Sequence, residues 1–289
     1  MRKLFGLFVF ALMLAPEPRH LSGELRYLPV PAVPSIKPPA EQHDFDAVLG
    51  HAQTHFNSAG KMAPRAENVR LVSEKVATQT LRPGEVWSFN ATVGPRTEER
   101  GFKPAPEILL GELKDGVGGG TCQVSSTIFQ AALLAGLDIV RRSPHSRPPK
   151  YALTGTDATV SYDDGIDLLL KNPWSFPIQI RSWTEADEVF AEVRGLKKGP
   201  TVKLQWINFS TEPFARKMRK TGKYRGKHLA QHGADGQSGA LRVRTYQPDG
   251  TFVERLIPTT YPPVNEIWDV GLNWDDQETP WATEAASPK

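Results

Sequence analysis

The chain holds one cysteine, Cys122, within Gly118-Gly119-Gly120-Thr121-Cys122-Gln123-Val124-Ser125-Ser126. Beyond it Val124, Ile128, Ala131, Ala132 and Ala135 recur at three- and four-residue spacing, one apolar face of a helix. Gly136 stands where a left-handed cap would end that helix. The glycine run thus delivers Cys122 to a first helical turn, where unpaired N–H groups and the positive end of the helix dipole favour a thiolate. A thiolate there is a nucleophile. Gly118, Gly119 and Gly120 leave room for a substrate backbone and offer N–H groups to a developing oxyanion. Gln123, Ser125 and Ser126 complete the candidate oxyanion and substrate-binding set. The opposing reading is a small cysteine that merely packs the helix against a sheet. A phosphate-cradling loop is disfavoured, because the Gly-Lys-Ser/Thr ending is missing.

A nucleophilic thiol needs a base. Ser143-Pro144-His145-Ser146-Arg147-Pro148-Pro149 presents an imidazole in a loop stiffened by prolines. His145 is the candidate base or ion-pair partner, and Arg147 is placed to bind a carboxylate bidentately. The alternatives are a turn histidine and a surface arginine. Asp157, in Thr154–Tyr162, is either the group that orients the imidazole or an aspartate bonded to its own turn. His51 and His55 invite a metal reading at i, i+4. They have no third ligand nearby and no His-Glu-x-x-His pattern, so surface histidines are the better reading.

The elements that must position these residues follow. Pro64–Leu81 reads as a helix, with Pro64 in its first turn and Val69, Val72 and Val76 periodic. Arg65 and Asn68 on it could face a ligand, with solvated helix residues as the default reading. Val86–Phe89 is a short strand, Asn90–Gly101 is turn-rich, and Ile108–Leu110 with Leu113 suggests a hairpin leading to the glycine loop. Leu137–Arg141, Thr154–Tyr162, Leu168–Leu170, Ile178–Ile180 and Val189–Val193 read as strands. A cysteine-bearing helix packed on antiparallel strands gives an α+β class rather than a doubly wound sheet. Residues 201–271 alternate apolar and polar positions with no amphipathic helix, a small all-β domain following the catalytic one.

Composition bounds the partners. The net charge of +3 is too weak and dispersed for nucleic acid. Met1-Arg2-Lys3 followed by the apolar Leu4–Ala15 reads as a signal peptide, with an uncleaved N-terminal anchor as the alternative. The run is short of the roughly 20 residues that a membrane span needs. Residues 16–43 are a proline-rich linker and residues 273–289 a mobile tail. In an exported protein, a single cysteine is a free thiol.

Several segments together resemble the VanW family across residues 45–195: Leu81–Asn90 (LRPGEVWSFN), Thr92–Gly101 (TVGPRTEERG), Gly118–Ser126 (GGGTCQVSS), Ala131–Val140 (AALLAGLDIV), His145–Pro148 (HSRP) and Asp157–Tyr162 (DATVSY). One departure is Ile128-Phe129, where Leu-Tyr is usual. The family takes its name from accessory genes of vancomycin-resistance clusters. The resemblance implies an L,D-transpeptidase that builds 3–3 peptidoglycan cross-links with Cys122 as nucleophile, at the periplasm or cell wall. His145 falls in the family's histidine motif. No cofactor or metal is implied. Residues 200–271 resemble a five-glycine envelope domain, through Gln231–Gly236, Tyr246–Gly250 and Pro263–Gly271. For that module the resemblance implies amino-sugar binding. A non-catalytic peptidoglycan binder and a glycopeptide-resistance accessory are the alternatives to the enzyme.

Overall fold

The computed structural model describes residues 44–109, 112–223, 226–246 and 249–272. The signal peptide, linker and tail expected above lie outside these. The described residues fall in one compact unit. Strand β1 (Ala47–His55) alternates buried and exposed positions and leads to helix α1 (Ala63–Val76). Pro64 lies in the first turn of α1, and Ala66, Val69, Val72 and Val76 form its buried stripe. The helix stops short of the expected Leu81. Ala77 turns into a positive φ of 38°, and β2 (Thr78–Leu81) takes over.

Strand β3 (Val86–Ser88) runs into α2 (Phe89–Val93), a helical turn inside the stretch read as turn-rich. Ser88 makes it possible, since its hydroxyl caps the Ala91 N–H at 2.9 Å. The hairpin β4 (Pro104–Leu109) and β5 (Glu112–Val117) pairs Pro104 with Val117 and aims the chain at the glycine loop. Helix α3 (Thr121–Leu134) carries Cys122 in its first turn. Its end is a paired motif at the expected glycine. Gly136, at φ 71°, donates to Leu133 at 3.1 Å, and Leu137 donates to Ala132 at 3.0 Å.

Strands β6 (Asp138–Arg141), β7 (Leu169–Lys171), β8 (Ile178–Glu185) and β9 (Glu188–Gly195) follow. A four-stranded antiparallel sheet in the order β1-β9-β8-β2 supports α1 and α3, and a second sheet has the order β3-β7-β6. The segment around Thr154–Tyr162 is not a strand. It touches its neighbours only through single bridges, Ser143 with Thr159 and Ser161 with Ile166. The physical reason is that its backbone is hydrogen-bonded by side chains of α3, as described below.

The remaining elements are all strands: β10 (Thr201–Glu212), β11 (Arg216–Lys220), β12 (Lys227–Gln231), β13 (Gly236–Tyr246), β14 (Phe252–Tyr261) and β15 (Glu266–Val270). They form two three-stranded sheets, β10-β13-β14 and β11-β15-β12, the β11–β15 pair being parallel. The first of these joins the main core. Leu241 and Val243 belong to the same buried cluster as Val124, Ile128 and Phe129, and Val202, Leu204, Trp206 and Ile257 pack against it. The fold is therefore α+β, with antiparallel sheets throughout and one parallel pair.

Candidate active site

The loop ahead of α3 is built around close approaches. At Gly119 a Cβ would stand 2.4 Å from the Ala105 carbonyl oxygen. At Gly118 and Gly120 the φ angles are 91° and 106°, and a side chain would run into the stems of Arg96 and Arg65. The glycines are needed so that two arginines can lie across the loop. Asn68 braces it from α1. Its side-chain amide donates to Gly119 and Lys103 at 3.0 and 2.8 Å and accepts from Lys103 N at 2.8 Å. Asn68 is buried, so its reading as a solvated residue is corrected.

Cys122 is half-buried at the opening of α3. Its sulfur lies 3.5 Å from both the N–H and the carbonyl of Val160. The thiol and the His145 imidazole are close enough that each shifts the other's charge state. The imidazole Nδ1 lies 2.6 Å from Asp157 Oδ2, which leaves Nε2 for the sulfur side. Asp157 is fully buried and saturated. Oδ2 also accepts the His145 N–H at 2.7 Å, and Oδ1 accepts from Arg142 at 2.7 Å. The buried Arg142 side chain also reaches the Asp157 and Gly155 carbonyls, and its guanidinium lies 5.4 Å from the Phe129 ring centroid. The structure thus brings Cys122, His145 and Asp157 together, the imidazole hydrogen-bonded to the carboxylate and electrostatically coupled to the thiol. The aspartate is bonded across the loop to the imidazole, not only within its own turn.

Charge follows from this geometry. Burial disfavours the thiolate, but the hydrogen bond and charge of His145, the Val160 N–H and the charge of Arg96 outweigh it and lower the Cys122 pKa. Burial also disfavours the imidazolium. Asp157 and Cys122 together overcome this and push His145 up to about 9. Asp157, despite burial, is held down at about 2 by His145, Arg142 and Tyr261. The environment thus favours an imidazolium backed by a carboxylate and shifts Cys122 toward the thiolate.

The candidate oxyanion and binding residues divide. Gly118 N–H donates to Lys103 at 3.1 Å and Gly119 N–H to Gly116 at 3.3 Å, so neither is available to an oxyanion. Among the described residues, Gly120 N–H and Cys122 N–H make no hydrogen bond. Gln123, Ser125 and Ser126 do not face a substrate either, and α3 is buried nearly all round. The Gln123 amide donates to Thr54 at 3.1 Å and to the His55 carbonyl at 2.8 Å, tying α3 to β1. Ser125 donates to the Ala158 carbonyl at 2.7 Å, and Ser126 accepts the Ala158 N–H at 2.9 Å. These serines fasten the Asp157 segment to α3 in place of a neighbouring strand. Arg147 is half-buried, with no ion pair or hydrogen bond among the described residues. His51 and His55 lie exposed on β1 and carry no site, and no three His, Cys, Asp or Glu side chains among the described residues cluster for a metal ion.

Tyr151, Arg96 and Arg142 escaped the sequence reading as site residues, and Arg65, defaulted there to solvent, joins them. Tyr151 places its hydroxyl 3.3 Å from His145 Nε2. Arg65 lies over the Tyr151 ring at 6.0 Å and, like Arg96, feels the Cys122 charge. Arg96 is held by Asn90 Oδ1 at 2.7 Å and the Gly94 carbonyl at 2.9 Å, with no carboxylate in direct contact. Arg142 had no signal beyond its place between a strand and the histidine loop.

Residues 64–194 match the family model described as VanW like protein. That segment is a VanW family domain. It contains Cys122, His145 and Asp157. The Uncharacterized protein YoaR of Bacillus subtilis (strain 168) is 46% identical over 134 residues, covering 46% of this chain and 43% of YoaR. The Vancomycin B-type resistance protein VanW of Enterococcus faecalis (strain ATCC 700802 / V583) is 30% identical over 126 residues, 42% of this chain and 45% of that protein. The chain thus spans less than half the length of these curated relatives. A solved structure, that of HP0197-G5, aligns at 20% identity over 25% of this chain and 96% of its own, with a TM-score of 0.15. At that score it fixes neither fold nor function for the strands after the VanW domain.

Proposed function

We propose that the chain is an exported cysteine acyltransferase of the cell envelope that acts on peptidoglycan stem peptides as an L,D-transpeptidase. The observation that carries this reading is the row Cys122–His145–Asp157, with the imidazole fixed at 2.6 Å from a saturated carboxylate. In the first half-reaction the Cys122 thiolate attacks the carbonyl carbon of an L-centre in the donor stem. The C–N bond to the terminal D-residue breaks, His145 delivers its proton to the leaving amine, and a thioester remains. In the second half, the amine of a neighbouring stem gives a proton to His145 and attacks the thioester. The C–S bond breaks, a 3–3 cross-link forms and the thiolate returns. Water as acceptor gives a carboxypeptidase.

The Gly120 and Cys122 N–H groups, not those of Gly118 and Gly119, are the proposed oxyanion donors. Arg65 and Arg96 lie within electrostatic reach of the thiol, and among the described residues no carboxylate forms an ion pair with either, which suits the carboxylates of stem peptides. The test is incubation with tetrapeptide-stem muropeptides and mass analysis of products. The reading predicts 3–3 dimers and released D-residue, both absent in Cys122→Ala. Tripeptide monomers without dimers would assign carboxypeptidase activity instead.

The name of the Enterococcus relative supports a second reading, a glycopeptide-resistance accessory that binds stem peptides without chemistry. Altered drug susceptibility on deletion, with unchanged cross-links, would favour it.

A further inference from the structure

Resting on the acyltransferase reading, we infer that Tyr261 is a positioning residue for the Cys122 site, so that the strands following the VanW domain complete its catalytic network. Tyr261 ends β14, over sixty positions beyond the last residue matched by the family model. Its side chain is 1% exposed. The phenol donates to Asp157 Oδ1 at 2.5 Å and accepts the Gly155 N–H at 2.9 Å. Thr259, on the same face of β14 two residues earlier, accepts from Arg142 at 2.7 Å. Arg142 is the other donor to Asp157 Oδ1.

The carboxylate therefore has its two oxygens fixed from two sides. Oδ2 is taken by His145, through its backbone N–H and its ring. Oδ1 is taken by Arg142 and Tyr261, and β14 anchors both. Rotation of the carboxylate, which would let the imidazole swing away from the sulfur, breaks bonds to β14. The Gly155 turn is held in the same way. It adopts a φ of 82°, and a Cβ there would stand 2.6 Å from Trp206 of β10, so the indole lies directly on the turn backbone. Packing alone would need no phenol hydroxyl between Asp157 and Gly155. The hydroxyl pairs the Gly155 N–H and gives Asp157 Oδ1 a second donor beside Arg142.

The experiment follows alkylation of Cys122 by iodoacetamide across pH in full-length Tyr261→Phe, with Thr259→Val as a second variant, Thr260→Ala as an exposed neighbour and His145→Ala as reference. Thermal unfolding establishes that each variant is folded. The inference predicts that Tyr261→Phe reacts about tenfold more slowly at pH 6.5, with its midpoint about one unit higher. Thr259→Val shifts the same way by less, and Thr260→Ala matches the parent. A folded Tyr261→Phe with the parent profile, beside a slow His145→Ala, overturns the inference and leaves the acyltransferase reading standing. If His145→Ala also keeps the parent profile, the thiolate–imidazolium pair is absent and both readings fall. Should Tyr261→Phe fail to fold, Thr259→Val decides by the same criteria.

Discussion

At the scale of single residues, the account rests on where protons sit. Iodoacetamide traps thiolate, so with its pKa lowered Cys122 should react faster at pH 7 than an ordinary thiol. An ordinary thiol of pKa about 8.5 would be only a few per cent ionised there. His145→Ala should move the midpoint upward and slow the pH 7 reaction at least about tenfold. Steps that need the imidazolium, such as protonation of the leaving amine, should fall as pH rises through about 9. Gly119→Ala is predicted to fail structurally, since its Cβ would meet the Ala105 carbonyl at 2.4 Å; the check is soluble yield and thermal unfolding. Cys122 and His145 stood out by residue type and motif resemblance, whereas Asp157 stayed open between an imidazole-orienting and a turn-bonded aspartate. The roles of Gly118, Gly119, Gln123, Ser125 and Ser126 were not. Spacing says which residues lie near the thiol, not which N–H or hydroxyl is already spent on the protein's own backbone.

At the scale of elements, α3 organises the site because it is fastened on several sides. Thr54 meets Thr127 at 2.7 Å, Gln123 reaches β1, and Ser125 with Ser126 holds the segment that bears Asp157. Ser126→Ala removes the acceptor for the buried Ala158 N–H and should cost about 1–3 kcal/mol of stability. It should also slow Cys122 alkylation, because the backbone next to Asp157 loses its tie to α3; urea unfolding and the alkylation rate check the two effects separately. Helices α1 and α3 and several strands were legible from periodicity, though β2 fell inside the expected α1. The Asp157 segment was misread as a strand because its apolar alternation matches one, while its hydrogen bonds go to serine side chains. Helix α2 hid in polar sequence because a single Ser88 cap decides it.

At the scale of the whole molecule, the VanW domain and the following strands share one buried cluster and one hydrogen-bond network. Arg142→Met would leave Asp157 without its guanidinium, and removing one partner of a buried pair costs about 3–5 kcal/mol. Thermal unfolding should show that loss. The pH dependence of stability has two parts. The raised His145 pKa alone would give stability that is complete below 6.5 and lost as pH rises through about 9. The lowered Cys122 pKa acts in the opposite direction, since a depressed folded-state pKa stabilises as pH rises. Asp157 has no such compensation. Its contribution is present above 3.8 and is lost as pH falls toward about 2, so the stability gap between the parent and Asp157→Asn should close over that interval. The all-strand character of residues 201–271 was legible from alternation. Its grip on Asp157 was not, because Tyr261 reaches across 104 positions of sequence and no local pattern marks such a contact. The most direct test of the central claim is intact-protein mass spectrometry after incubation with a tetrapeptide-stem muropeptide, beside Cys122→Ala. An adduct of thioester mass on the parent chain alone is the predicted result. A parent chain that stays unmodified, releases no D-residue and resists mild alkylation at pH 7 would contradict it.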